Sequence, residues 1–100
     1  MERLALPSSI TLLGNMSFAN AKIDELILLA RSLRTVGRAF VGFHTRVLDL
    51  REAADVTEVH VGCFEAAVMK RMLLPLHNRH FSNVDLSTAK IEEHVRTRRR

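Results

Sequence analysis

The sequence contains no tryptophan and no tyrosine, and all five of its aromatic residues are phenylalanine. Proteins that bind single-stranded nucleic acid usually stack bases on aromatic side chains, so the missing ring types disfavour that function. Cys63 is the only cysteine, which excludes an intrachain disulfide. The absence of a disulfide favours a reducing compartment, and we expect an intracellular protein, cytoplasmic or nuclear.

Long hydrophobic runs are also missing. The longest apolar run, Leu26–Ala30, is far too short to cross a bilayer, which predicts a protein that does not span a membrane. The N-terminal stretch MERLALPSSITLL is a poor secretory signal because Pro7 and two serines interrupt it. No internal repeat is evident, and 100 residues fit one small domain.

Acidic residues are absent from a long central stretch. No aspartate or glutamate lies between Leu26 and Leu48, whereas four arginines do. Four more arginines lie among the last five residues, and the net charge is +4. Concentrated positive charge favours a polyanionic partner, and among polyanions we expect nucleic acid rather than a membrane surface.

Apolar residues recur at spacings that alternate between three and four positions. This heptad pattern is typical of an amphipathic α-helix and differs from the two-residue period of a strand. With Ser17 or Asn20 as a cap and acidic residues in the first turn, it predicts a long helix over about 20–53. The members of the pattern are Leu26, Leu29, Leu33, Val36, Phe40, Phe43, Val47, Leu50 and Ala54.

A second helix is predicted after the long one, over about 57–74. Asp55 to Glu58 reads as a capping box, and helical spacing continues until Pro75. A helical domain would then cover residues 1–81, and residues 82–100 would form a short C-terminal helix with an arginine-rich tail. The predicted fold class is therefore all-α, with helices in the order short, long, medium and short.

A core this small is often completed by a second copy, so we expect a helical-bundle homodimer. The long helices would pack along an apolar seam on one face. The predicted seam residues are Leu33, Val36, Phe40, Phe43 and Val47.

The opposite face of the long helix would carry basic and hydroxyl-bearing side chains. Guanidinium groups bind phosphate in a bidentate manner, so this face predicts a non-enzymatic nucleic-acid-binding protein, with double-stranded RNA favoured. The predicted contacts are Arg31, Arg34, Thr35, Arg38, Thr45 and Arg46. Carboxylates placed against these guanidiniums would remove the basis of the site.

A small helical dimer with a long, arginine-lined helix resembles the RNA-silencing suppressors of nodaviruses. The similarity lies in layout and charge placement over about half of the chain, without a diagnostic motif. It implies lengthwise binding of double-stranded RNA.

A helical protein-interaction module, acting through a coiled coil or by inserting a helix into a partner's groove, is the alternative. Ala30, Leu33, Gly37 and Phe40 resemble in spacing the short helical death motif of pro-apoptotic proteins, although Arg38 stands where that motif has an aspartate. An apolar groove contact would be far less sensitive to salt than phosphate binding.

No pattern predicts catalysis, a cofactor or a metal site. His60, Cys63, His77 and His80 have the spacing of zinc ligands, but the residues between Cys63 and His77 follow a packed helical pattern and not that of a zinc finger. A nucleophile motif and a glycine-rich phosphate loop are also missing. We therefore expect no enzymatic activity, no cofactor and no bound metal.

Overall fold

Parallel β-strands make up most of the regular structure in the computed structural model, which describes residues 3–6, 9–76 and 78–97. Among these residues the only helical element is a short 3-10 helix, Arg79–Asn83. The strands are β1 (Arg3–Leu6), β2 (Leu12–Leu13), β3 (Lys22–Leu28), β4 (Thr35–Val36), β5 (His44–Asp49), β6 (Glu58–Val59), β7 (Val68–Pro75) and β8 (Lys90–Thr97).

The chain winds repeatedly through two parallel sheets. The first sheet has five strands in the order β1-β3-β5-β7-β8, and the second has three in the order β2-β4-β6. Successive strands of the first sheet are offset by 22 to 24 residues, since Lys22 pairs with His44, His44 with Val68, and Val68 with Lys90. Parallel strands that are joined by a return through another sheet form a β-solenoid-like fold, in which each coil rests on its neighbours.

The core lies inside the coils, where equivalent side chains of successive coils stack on one another. Leu26, Leu48 and Met72 occupy one register position on β3, β5 and β7, and all three are fully buried. Because each coil buries its apolar side chains against the next coil, the stacking itself supplies the hydrophobic stabilisation.

A ladder of phenylalanine rings runs along one corner of the coils. The ring centroids of Phe18 and Phe40 are 5.7 Å apart and those of Phe40 and Phe64 are 5.5 Å apart, with 9° between the planes of each pair. Offset or near-parallel rings at this separation add specific stabilisation to the burial of their area. The ladder therefore fixes the stacking of three successive coils.

The turn after each of these rings repeats its backbone conformation. Asn20, Gly42 and Ala66 have positive φ angles of 60°, 66° and 58°, and the amide of Asn20 donates to the carbonyl of Val41 in the next coil at 2.9 Å. A Cβ atom on Gly42 would collide with the side-chain oxygen of Asn20. Glycine therefore suits this position for two reasons, its φ angle and the space available.

The prediction of an all-α helical bundle is wrong, because the described residues contain strands and turns where helices were expected. Residues 20–53 form β3, β4, β5 and the turns between them, and residues 57–74 contain β6 and most of β7. The expected C-terminal helix is strand β8 instead, and the arginine tail of residues 98–100 lies outside the described residues. Within the described part of the chain, no helix is long and apolar enough to span a membrane.

The heptad spacing wrongly predicted a helix. A β-coil with several corners also places a buried side chain every three or four residues, so the two structures produce similar spacings. Along β3 and just beyond its end the buried residues follow a two-residue period, as Leu26, Leu28 and Ala30 show. Val47 is half-buried on the outer surface of β5. The other four predicted seam residues are fully buried inside a single chain rather than between helices of two chains: Leu33, Val36, Phe40 and Phe43.

The sequence does contain a repeat, contrary to expectation. The triplet Ala-Lys-Ile occurs at residues 21–23 and again at residues 89–91, and both copies lead into strands of the first sheet. Phe18, Phe40 and Phe64 recur with the period of the coil. Repeats this degenerate are recognised only when position and burial are considered together.

Candidate interaction surface

The outer surface of the first sheet is densely charged at its centre. The charged residues lie between two columns of inward-facing side chains, one containing Thr45 and Met69 and the other containing Leu48 and Met72. At this central level β3 and β8 carry acidic residues and the two strands between them carry basic residues, whereas Lys22 and Lys90 lie at the starts of β3 and β8. We define the charged face as Asp24, Glu25, Arg46, Lys70, Arg71, Glu92 and Glu93.

Carboxylates of β3 and β8 contact guanidinium groups of β5 and β7. Arg46 Nη2 lies 3.6 Å from Glu25 Oε1, and Arg71 Nε lies 2.8 Å from Glu93 Oε1. The Arg71 and Glu93 side chains are 51% and 55% exposed, so this pair contributes at most about 1 kcal/mol to stability. Among the described residues no ion pair involves Lys70.

A more buried ion pair borders the charged face on β5. Asp49, only 4% exposed, accepts hydrogen bonds from Arg51 Nε at 3.0 Å and from Arg51 Nη2 at 2.8 Å. The side-chain hydrogen bond to Asp49 raises the pKa of Arg51. Leu73 is paired with Asp49 in the register and is 6% exposed. This edge of the face is therefore largely buried, held by side-chain hydrogen bonds and partly apolar.

A shallow depression of about 410 Å³ adjoins the charged face where β3, β5 and β7 begin. Its lining combines the charged side chains of Lys22, Asp24 and Arg46 with the apolar side chain of Val68. The imidazole of His44 also lines it, and Nδ1 of this ring lies 3.0 Å from the carbonyl oxygen of Gly42.

The residues predicted to bind nucleic acid do not lie on one surface. Thr35 belongs to the second sheet, and Thr45 and Arg46 belong to the first. Thr45 is buried, and its hydroxyl donates to the carbonyl of Asp24 at 3.0 Å, so it faces the interior. The remaining predicted contacts lie in the turns on either side of β4: Arg31, Arg34 and Arg38.

Carboxylates of the next coil contact two of these arginines. Arg31 Nε lies 3.1 Å from Glu52 Oε1, and Arg38 Nη2 lies 2.9 Å from Glu65 Oε1. Arg34 Nη1 donates to two backbone carbonyl oxygens at 3.2 and 3.4 Å. The acid-free stretch of sequence is therefore not acid-free in space, because each coil lies against a coil that supplies carboxylates.

Of the four residues with zinc-like spacing, the three that the structure describes are divided between the core and a surface groove. Cys63 is fully buried, and burial raises the pKa of its thiol to about 12. His60 and His80 line a groove of about 400 Å³ beside the second sheet. His77 lies outside the described residues, and the residues that are described contain no cluster of three side chains suited to a metal ion.

Sequence reasoning missed most of the charged face. No role was predicted for Lys70, Arg71, Glu92 and Glu93, because residues 57–74 and the segment after residue 82 were expected to be helical. The available signal was positional: paired charges at 24–25, 70–71 and 92–93 recur at multiples of the coil period. No family model matches the sequence, and no significant match was found among curated proteins or solved structures.

Proposed function

We propose that this protein is a non-enzymatic recognition module that binds a protein partner through its charged face. The observation that carries the proposal is the arrangement of three cations and four carboxylates on adjacent strands of one regular sheet. Solenoid proteins expose extended surfaces that suit recognition of large partners.

The balance of charge favours a protein over a polyanion. Phosphate binding requires cations that are free to replace counterions, whereas Arg46 and Arg71 already lie beside carboxylates. A phosphate backbone laid across the face would also approach Glu25 and Glu93. Protein surfaces present both signs of charge, so they can match such a face strand by strand.

Binding of double-stranded RNA stays a prediction with less support than before. The basic helix face on which it rested is absent from the described residues, and two of its arginines contact carboxylates of the next coil. Exposed pairs of this kind are weak, however, and a polyanion could displace them. An RNA-binding assay is therefore part of the test.

The test compares proteins captured from a lysate of the source organism by three immobilised forms of the chain. The face variant is Lys70→Glu/Arg71→Glu, and the matched control is Arg34→Glu/Arg79→Glu, which makes the same change in net charge away from the face. We expect a set of proteins retained by the wild type and the control variant but lost from the face variant, with nuclease treatment having no effect.

Two outcomes would contradict the proposal. One is the same set of retained proteins from all three forms, which would mean that the face plays no part. The other is retention that nuclease abolishes, together with a salt-sensitive electrophoretic shift of duplex RNA that the control variant weakens. Circular dichroism of each variant verifies that the fold is intact.

A further inference from the structure

We infer that the charged face selects a partner surface with an acidic centre flanked by basic groups, and that a second copy of this chain does not provide it. The inference rests on the proposed function and names the chemistry of the partner. It follows from the order of charges across four neighbouring strands, which is acidic, basic, basic, acidic.

The basic centre consists of Arg46, Lys70 and Arg71 on the adjacent strands β5 and β7. Lys70 is exposed and forms no ion pair with any other described residue. The Arg46 side chain is 53% exposed and lies 3.6 Å from its carboxylate, a separation longer than that of a well-formed charge-assisted hydrogen bond. Lys70 and Arg46 can therefore accept a partner carboxylate without breaking a short ion pair, whereas Arg71 would have to share its guanidinium with Glu93, in an exposed and therefore weak pair.

Acidic residues border this centre on both sides. Asp24 and Glu25 lie on β3, and Glu92 and Glu93 lie on β8. Neighbouring strands are about 4.8 Å apart, so the four strands span about 14 Å. A partner that places carboxylates over the centre and amines or guanidiniums about 7 Å to each side would meet opposite charges throughout.

A second copy of the chain cannot supply that pattern by symmetric packing. In a two-fold interface the same surface meets itself, so full overlap of two charged faces places the basic strands β5 and β7 over the basic strands of the other copy. Acidic strands would then face acidic strands and basic strands would face basic strands, which disfavours association. The pattern therefore points to a different protein.

Two synthetic peptides of identical composition test the inference. KKDEDKK has an acidic centre and basic ends, and DKKKKDE has the reverse order, and both carry the same net charge. Their affinities for the isotope-labelled protein are measured by amide chemical-shift titration at low salt. We expect KKDEDKK to bind about five-fold more tightly and to shift amides of β5 and β7.

Two variants test whether the basic centre causes the preference for KKDEDKK over DKKKKDE. Lys70→Glu/Arg71→Glu is expected to abolish the preference or reverse it, and Arg34→Glu/Arg79→Glu is expected to preserve it. Equal affinities, tighter binding of DKKKKDE, or shifts confined to the second sheet would overturn the inference. Concentration-dependent dimerisation that Lys70→Glu abolishes would also overturn it, since a second copy would then occupy the face.

The two proposals can fail separately. If the peptides show no preference while protein capture still depends on the charged face, the proposed function stands and the inferred charge order of the partner is wrong. If capture is independent of the face, the proposed function fails whatever the peptides show.

Discussion

Phe40 stacks on Phe64 with ring centroids 5.5 Å apart and ring planes 9° from parallel, although 24 residues separate them in the sequence. In a continuous helix the same separation would be about 36 Å. The contact requires the chain to return to the same position after each coil. The ladder of phenylalanines and the charged face therefore have one origin, the stacking of equivalent residues.

Phe40→Ala is expected to reduce the free energy of unfolding by about 3–5 kcal/mol, because it leaves a cavity between Phe18 and Phe64. Urea denaturation measures the loss. Leu12→Ala is the comparison, since Leu12 is 58% exposed and its loss is expected to stay below about 1 kcal/mol. Similar losses for the two variants would mean that Phe40 is not in the core.

Gly42→Ala is expected to cost at least about 1–2 kcal/mol of stability, because φ is +66° and the new methyl group meets the side chain of Asn20. Gly14→Ala serves as the matched control, since the nearest atom to a Cβ there is Ser17 Oγ at 3.8 Å. Thermal unfolding compares the two. Equal shifts in Tm would be inconsistent with the repeated turn.

Asp49→Ala is expected to lower stability by about 2–3 kcal/mol, because it removes a buried carboxylate and leaves the partly buried guanidinium of Arg51 without the hydrogen bonds that it forms there. Glu93→Ala removes an exposed pair with Arg71 instead and is expected to cost less than about 1 kcal/mol. Chemical denaturation measures the free energy of unfolding of both variants. If Glu93→Ala proves the more damaging, the account of these two pairs is incorrect.

The thiol of Cys63 is expected to react very slowly with Ellman's reagent in the native protein. Burial raises its pKa to about 12, so very little thiolate is present at pH 8, and the same burial keeps the reagent away from the sulfur. Unfolding in urea restores ordinary reactivity. Rapid stoichiometric labelling of the native protein would show that Cys63 is accessible.

Apolar character was easier to predict from the sequence than the shape of the backbone. Leu33, Val36, Phe40 and Phe43 are core residues, as their spacing suggested, but the spacing did not distinguish a helix from a coil with corners. The residues around Leu26 also fit the two-residue period of a strand. That stretch is too short to distinguish a strand from a helix. Contacts between residues 22 to 24 apart determine this fold, and local patterns carry little information about them.

The charged face was harder to predict than the core. Arg46 was identified as a binding residue, but its neighbours Glu25 and Lys70 are 21 and 24 residues away and become neighbours only through strand pairing. Charge counted along the sequence therefore indicated an unneutralised basic surface, whereas the stacked coils place carboxylates beside most of those arginines. The domain boundary expected near residue 81 and the homodimer stay untested predictions.

Nuclear Overhauser contacts between backbone protons test the stacked-coil account most directly. We expect contacts between Leu26 and Leu48 and between Leu48 and Met72, together with slow amide exchange in β3, β5 and β7, because these residues are register partners in a parallel sheet. An unbroken series of contacts between each residue and the third one after it, through residues 20–53, would instead show a long helix and contradict the account.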